Sequence, residues 1–269
     1  MRAARGSASK VPEVIALFWI VKVLTTGMGE ATSDYFVHRV GLGNTPALAV
    51  VALTTGALLA ISLVIQLAAR SYVTWRYWLA VTLVGVFGTM AADGVHVQLG
   101  VPYIVSSAFF AVVLAVIFCL WYASERTLSI HSIRTRRREL FYWAVVIATF
   151  ALGTATGDMT AVTLNLGYLL SGVMFAGLIA LPAIGYRWFG LNEVFAFWFA
   201  YVLTRPLGAS FADWLAVSPS RGGLGLGYGT VALTLGASIV GFVTYMAVSH
   251  VDAPRDEPVV SQEAERRTA

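Results

Sequence analysis

Long apolar runs alternate with short polar segments along the whole chain. Runs of about 20 residues mark membrane-spanning helices, and eight occur, over roughly 13–36, 46–69, 76–96, 102–123, 140–163, 167–188, 193–215 and 226–249. The pattern predicts an all-α, polytopic membrane protein of eight transmembrane helices with no separate globular domain. It divides into a tail over 1–11, a membrane domain over 12–250 and a solvated, disordered tail over 251–269, rich in charge and proline. The first run is too long for a signal-peptide core and lacks an A-x-A-like site, so it is expected to remain as the first helix.

Self-similarity organises these runs further. The segments "WIVKVLTTGMGEATSD" (19–34), "WLAVTLVGVFGTMAAD" (78–93), "WAVVIATFALGTATGD" (143–158) and "WFAYVLTRPLGASFAD" (198–213) align without a gap as W-x9-G-x4-D. Trp19, Trp78, Trp143 and Trp198 open them. Gly29, Gly88, Gly153 and Gly208 follow at one fixed spacing, and Asp34, Asp93, Asp158 and Asp213 at another. Each repeat (about 12–70, 71–130, 138–190 and 191–250) joins a motif helix to a plainer one. Two crossings return the chain to its starting side, so the repeats are expected to be parallel, around an axis along the membrane normal.

On these four segments, from about Pro12 to about Ala247, the chain resembles a family of bacterial integral membrane proteins. That family is built from four tandem two-helix repeats of unknown function with a characteristic tryptophan. The resemblance implies this architecture and a bacterial inner-membrane location; it implies no activity.

Charge fixes an expected orientation. The hydrophobic fraction is 58%, the charged fraction 12% and the net charge +4, with a mean hydropathy of +0.76. The tails and the loops after the second, fourth and sixth runs hold Arg2, Arg5, Lys10, Arg70, Arg76, Arg126, Arg134, Arg136, Arg137, Arg138, Arg187, Arg255, Arg266 and Arg267. The opposite loops hold only Arg39 and Arg221. By the positive-inside rule both termini are cytoplasmic. The basic run 134–138 then reads as a headgroup anchor and not as a nucleic-acid site. Cys119 is the only cysteine, which excludes a disulfide framework or a thiolate metal cluster. Glu13, Glu139 and Glu193 read as first-turn acids that complement helix dipoles.

The aspartates are the candidate chemistry. A helix rises about 1.5 Å per residue, so a Trp at one aromatic belt puts its Asp about 22 Å deeper, in the outer part of the hydrocarbon core. A carboxylate at the centre of a spanning helix costs at least about 2.5 kcal/mol to insert, which favours a shared polar site over four unrelated acids. Interfacial capping remains the alternative, strongest for Asp93 and Asp213 at the ends of their runs. One helical turn before each Asp stand Glu30, Thr89, Thr154 and Ala209, on the same face. Small neighbours and the repeated Gly suggest close helix packing. Lys22 and Arg205 are cations inside spans and need partners; Arg205 precedes Pro206, which frees backbone carbonyls. His38 and His96 lie past Asp34 and Asp93 and are candidate ligands or interface residues.

The expected metal-binding set is therefore Asp34, Asp93, Asp158, Asp213 and Glu30, with Thr89, Thr154, Lys22, Arg205, His38 and His96 in support. Oxygen donors without thiolates suit a hard divalent cation such as Mn2+, and repulsion among acids suits exchangeable protons. This predicts a small-cation transporter whose partners are the bilayer, the cation and protons, with no permanent cofactor and no nucleic acid; an oligomer is left open. The alternative is a scaffold or sensor whose Asp residues are interfacial caps. An enzyme is not expected, since no G-x-S-x-G, H-E-x-x-H or P-loop pattern occurs.

Overall fold

The computed structural model describes residues 9–41, 45–94, 96 and 99–254. Arg2, Arg5, Arg255, Arg266 and Arg267 of the basic tails, and most of the expected C-terminal tail, lie outside these. Among the described residues there are eight α-helices and no strand: α1 (Ala16–Val40), α2 (Thr45–Ala68), α3 (Thr74–Asp93), α4 (Tyr103–Glu125), α5 (Arg136–Asp158), α6 (Gly167–Phe189), α7 (Glu193–Ala216) and α8 (Tyr228–Ser249). A π-helical turn at Met159–Thr163 prolongs α5. Six of the eight, all but α1 and α3, are long and apolar enough to cross a membrane, and the chain is a multi-pass membrane protein. α1 falls short because it carries Lys22, Glu30, Asp34, His38 and Arg39.

The motif helices α1, α3, α5 and α7 form a closed inner ring in which each packs on the next and α7 returns to α1. The plain helices surround it. Each packs chiefly on the motif helix of the following repeat: α2 on α3, α4 on α5, α6 on α7 and α8 on α1. The most apolar stretches of α5 and α7 are 67% and 56% buried, against 17–22% for α2, α4, α6 and α8. The outer helices therefore present apolar side chains to lipid, and the polar residues of the inner ones are shielded.

Two side-chain interlocks, each repeated four times, hold the ring. The residue before each motif Trp is aromatic and meets the Trp of the next repeat. Phe18 lies 5.7 Å from Trp78, Tyr77 5.6 Å from Trp143, Tyr142 6.1 Å from Trp198 and Phe197 5.6 Å from Trp19, between ring centroids. The tryptophans thus do not form the headgroup belt assumed from the sequence: Trp78, Trp143 and Trp198 are buried because each is clamped between helices. The second interlock uses the motif glycines. A Cβ on Gly29 would fall 2.6 Å from the Gly85 carbonyl carbon, and one on Gly88 3.0 Å from Phe150 Cβ. On Gly153 it would strike the Arg205 side chain, and on Gly208 it would strike Thr26. Each glycine makes room for the same position of the next repeat. Since the Trp ends meet at one end and the Asp ends at the other, the four motif helices are parallel.

The end where residues 9–13 meet Asp252 is tied by polar bonds. The segment before α1 is extended and not helical, so Glu13 precedes the helix instead of capping its dipole: Lys10 N donates to Ile133 O at 3.0 Å, Tyr72 N to Ser9 O at 3.1 Å and Glu13 N to Asp252 O at 3.1 Å. Lys10 pairs with Glu139 at 2.7 Å, and Gln66 donates to the other Glu139 oxygen at 3.1 Å. Glu139 is thus a buried ion-pair partner as well as a first-turn acid. Asp252, at the start of the expected solvated tail, is buried and accepts from Tyr72 and Thr74. Burial, then the Asp252 charge, push the Tyr72 phenol above its ordinary pKa, which keeps it a donor.

The glycine interlock predicts a sharp contrast. Overpacking a tight helix contact costs typically about 1–3 kcal/mol, so Gly29→Ala should lower the thermal unfolding midpoint in detergent. Gly236→Ala, where an added Cβ meets nothing within 4 Å, should leave it unchanged or slightly raised. Equal midpoints would contradict the ring contact.

Candidate functional site

The inward face of the ring recurs every fourth residue, and its layers can be followed from the Trp end. The first layer past the aromatic clamp holds Lys22, Val81, Val146 and Tyr201, all buried. Lys22 Nζ sits 4.2 Å from the centre of the Phe150 ring and 4.1 Å from that of Tyr201. It has no hydrogen-bond partner among the described residues. Two ring faces flank the Lys22 nitrogen, where the sequence led us to expect a polar partner.

The next layers hold a buried ion pair. Arg205 Nη2 donates to Glu30 Oε2 at 2.5 Å, to Thr154 Oγ1 at 2.8 Å and to Thr89 Oγ1, while Nη1 donates to the Thr26 carbonyl at 3.2 Å. Arg205 is 1% and Glu30 3% exposed. Thr89 and Thr154 pass their own protons to Gly85 O and Phe150 O. Three of the four positions one turn before the aspartates therefore converge on one guanidinium, and both threonines serve Arg205. Below the aspartates the pseudo-axis is plugged.

Above this plug all four motif aspartates and Glu30 line one cavity of about 440 Å³. Carboxylate oxygens of Glu30, Asp34 and Asp213 lie within 4.8 Å of one another. Acids gathered this closely are relieved by a shared proton or by a cation between them. Asp213 is 5% exposed, and its Oδ1 has no hydrogen-bond partner among the described residues. Asp93 and Asp158 stand apart from this triad on the same cavity wall. Asp93 accepts from Ser33 Oγ at 3.3 Å, and Asp158 lies beside Tyr103.

The histidines divide. His38 lines the cavity and donates Nδ1–H to the Asp34 carbonyl at 2.8 Å, which leaves Nε2 as an acceptor. His96 donates to the Val101 carbonyl at 2.5 Å and stacks on Tyr103, and it is not a lining residue.

Sequence reasoning missed a second set of lining residues, Tyr103, Tyr168, Tyr228 and Arg221. The tyrosines sit at the starts of α4, α6 and α8, each beside the motif Asp of the next repeat. Tyr103 lies beside Asp158, Tyr228 beside Asp34 and Tyr168 near Asp213, and Tyr168 accepts from Arg221 at 3.0 Å. A signal existed, since Tyr103 and Tyr168 follow Trp78 and Trp143 at one spacing.

With this geometry in view, the family model described as a Repeat of Unknown Function (DUF347) matches residues 17–72, 76–127, 141–190 and 196–251. The chain belongs to this family. Its four matched repeats coincide with the four helix pairs, so the ring and its cavity are products of the repeat. No curated protein and no solved structure is significantly similar to the chain.

The plug yields a test of coupling. Removing one partner of a buried ion pair costs about 3–5 kcal/mol because the other charge is left unmet. Arg205→Met should therefore destabilise the protein strongly in a denaturant titration, and adding Glu30→Gln should restore part of the loss. Additive losses would contradict the pairing.

Proposed function

We propose that the protein crosses the membrane eight times and transports a small cation through the acid-lined cavity. The eight spans rest on the four matched repeats and on the shielding of α1 and α3 inside the ring. The bias of basic residues supports both termini in the cytoplasm and the cavity opening on the outer side. The observation that carries the reading is the gathering of Asp34, Asp93, Asp158, Asp213 and Glu30, from four helices, around one cavity. The scaffold reading expects four caps turned separately toward water or headgroups, and the shared cavity favours binding instead.

The donor set is oxygen with one available imidazole nitrogen, which suits a hard divalent ion such as Mn2+ better than a thiophilic one. Asp34, Asp213 and Glu30 form the innermost cluster. A cation bound there competes with Arg205 for Glu30. That competition links loading to release of the plug, and protons displaced from the carboxyls provide a route to proton coupling. No catalytic role is assigned to any residue.

The experiment is Mn2+ binding and flux in proteoliposomes. The wild type should bind and translocate Mn2+. Asp34→Asn and Asp213→Asn should each weaken binding at least about tenfold, the equivalent of about 1.4 kcal/mol, and Asp158→Asn less. Equal, null behaviour of the wild type and all three variants would refute the proposal.

A further inference from the structure

Among the described residues, tyrosines stand beside the aspartates on three sides of the cavity, and the fourth side has an apolar wall with a chemistry of its own. On three sides a tyrosine from an outer helix stands beside an aspartate: Tyr103 at Asp158, Tyr168 at Asp213 and Tyr228 at Asp34. On the fourth side α2 packs on α3, and the described residues of the wall there include Leu48, Ala49, Val51 and Ala52 with Met90 of α3. A hydrated metal ion gains nothing from such a wall. A cavity of about 440 Å³ falls in the size range of small-molecule sites, where apolar lining holds the body of a ligand and a few polar groups fix its head.

We infer that the cavity also takes a primary alkylammonium ion, its head between Asp34 and Asp213 and its hydrocarbon part against the α2 wall. Three features carry this. Asp213 faces the cavity, is buried and keeps Oδ1 without a partner among the described residues, so a donor is missing beside it. An ammonium head supplies three N–H donors and one positive charge, which meets both the missing bond and the close approach of Asp34 and Asp213. The Tyr228 ring, 4.7 Å from that of His38, stands beside Asp34, where a cation gains from an aromatic face. Arg221 at the tyrosine rim repels a second cation, so the site holds one ammonium group and not a diamine spanning the mouth.

This inference rests on the cation reading above but makes a separate demand, since only the organic ligand uses the α2 wall. The probes are Mn2+, ammonium and n-butylammonium, titrated calorimetrically into the full-length protein in lipid nanodiscs, with protein-free nanodiscs as blank. n-Butylammonium should bind at least about tenfold tighter than ammonium, from burial of its methylenes, and should compete with Mn2+. Asp213→Asn should weaken both Mn2+ and n-butylammonium. Ala52→Phe, which fills the wall, should reduce the advantage of n-butylammonium over ammonium to less than threefold. Ala49→Phe, at an exposed position, repeats that test should Ala52→Phe fail to fold. Mn2+ binding with n-butylammonium no tighter than ammonium would overturn the inference and leave the metal reading standing. Binding of n-butylammonium without Mn2+ would do the reverse, and binding of neither would end both.

Discussion

Arg205 occupies the pseudo-axis of four helices, and its charge has to be met where water does not reach. Glu30 meets it from α1, the helix that closes the ring, and threonines of α3 and α5 complete the shell. One guanidinium thereby touches a side chain from each of the other three repeats. The cost of desolvating such a pair is high, and it is recovered only with good geometry and full hydrogen bonding. This explains why the surrounding layers are so closely specified. Gly153 yields its Cβ space to Arg205, and Gly29 and Gly208 bring α1 to its neighbours on both sides.

The ring places the acids by the same means. Each outer helix leans on the following repeat, so no repeat completes its own packing, and α8 must return to α1 for the structure to close. Each wall of the cavity is consequently composite. A motif helix supplies the aspartate, and on three sides the outer helix of the preceding repeat supplies the tyrosine beside it. The plug beneath and the lipid-facing helices around enclose a polar chamber. Carboxyls held together there exert a standing demand for positive charge, and Arg205 satisfies it only at Glu30.

Much of this was legible in the sequence because the repeat writes each feature four times. W-x9-G-x4-D located the motif helices, their common direction and the aspartate tier, and the four-residue step picked out Glu30, Thr89 and Thr154. Other features depend on which helices are neighbours, which a sequence does not state. Glu30 and Arg205 meet across the ring closure, and the Asp-flanking tyrosines belong to different repeats from their aspartates. A tryptophan in a membrane protein serves equally as a belt residue or as a packing knob; here the aromatic before each one, present in all four segments, was the clue to the clamp. The rings that flank Lys22 were not foreseen because rings leave no charge signature in a sequence. The start of α1 was placed too early because Val14 and Ile15 continue the apolar run toward Glu13, while backbone bonds from Lys10 to Ile133 and from Glu13 to Asp252 hold the preceding segment extended.

The central claim is that the four aspartates share one chamber reached from one face of the membrane. Single Asp34→Cys, Asp93→Cys, Asp158→Cys and Asp213→Cys variants in a Cys119→Ser background, exposed to a membrane-impermeant thiol reagent from either side, test it most directly. Labelling of all four from the same side, with Val146→Cys in the layer below the plug unreactive, is the predicted result. Labelling of the four positions from opposite sides would contradict it.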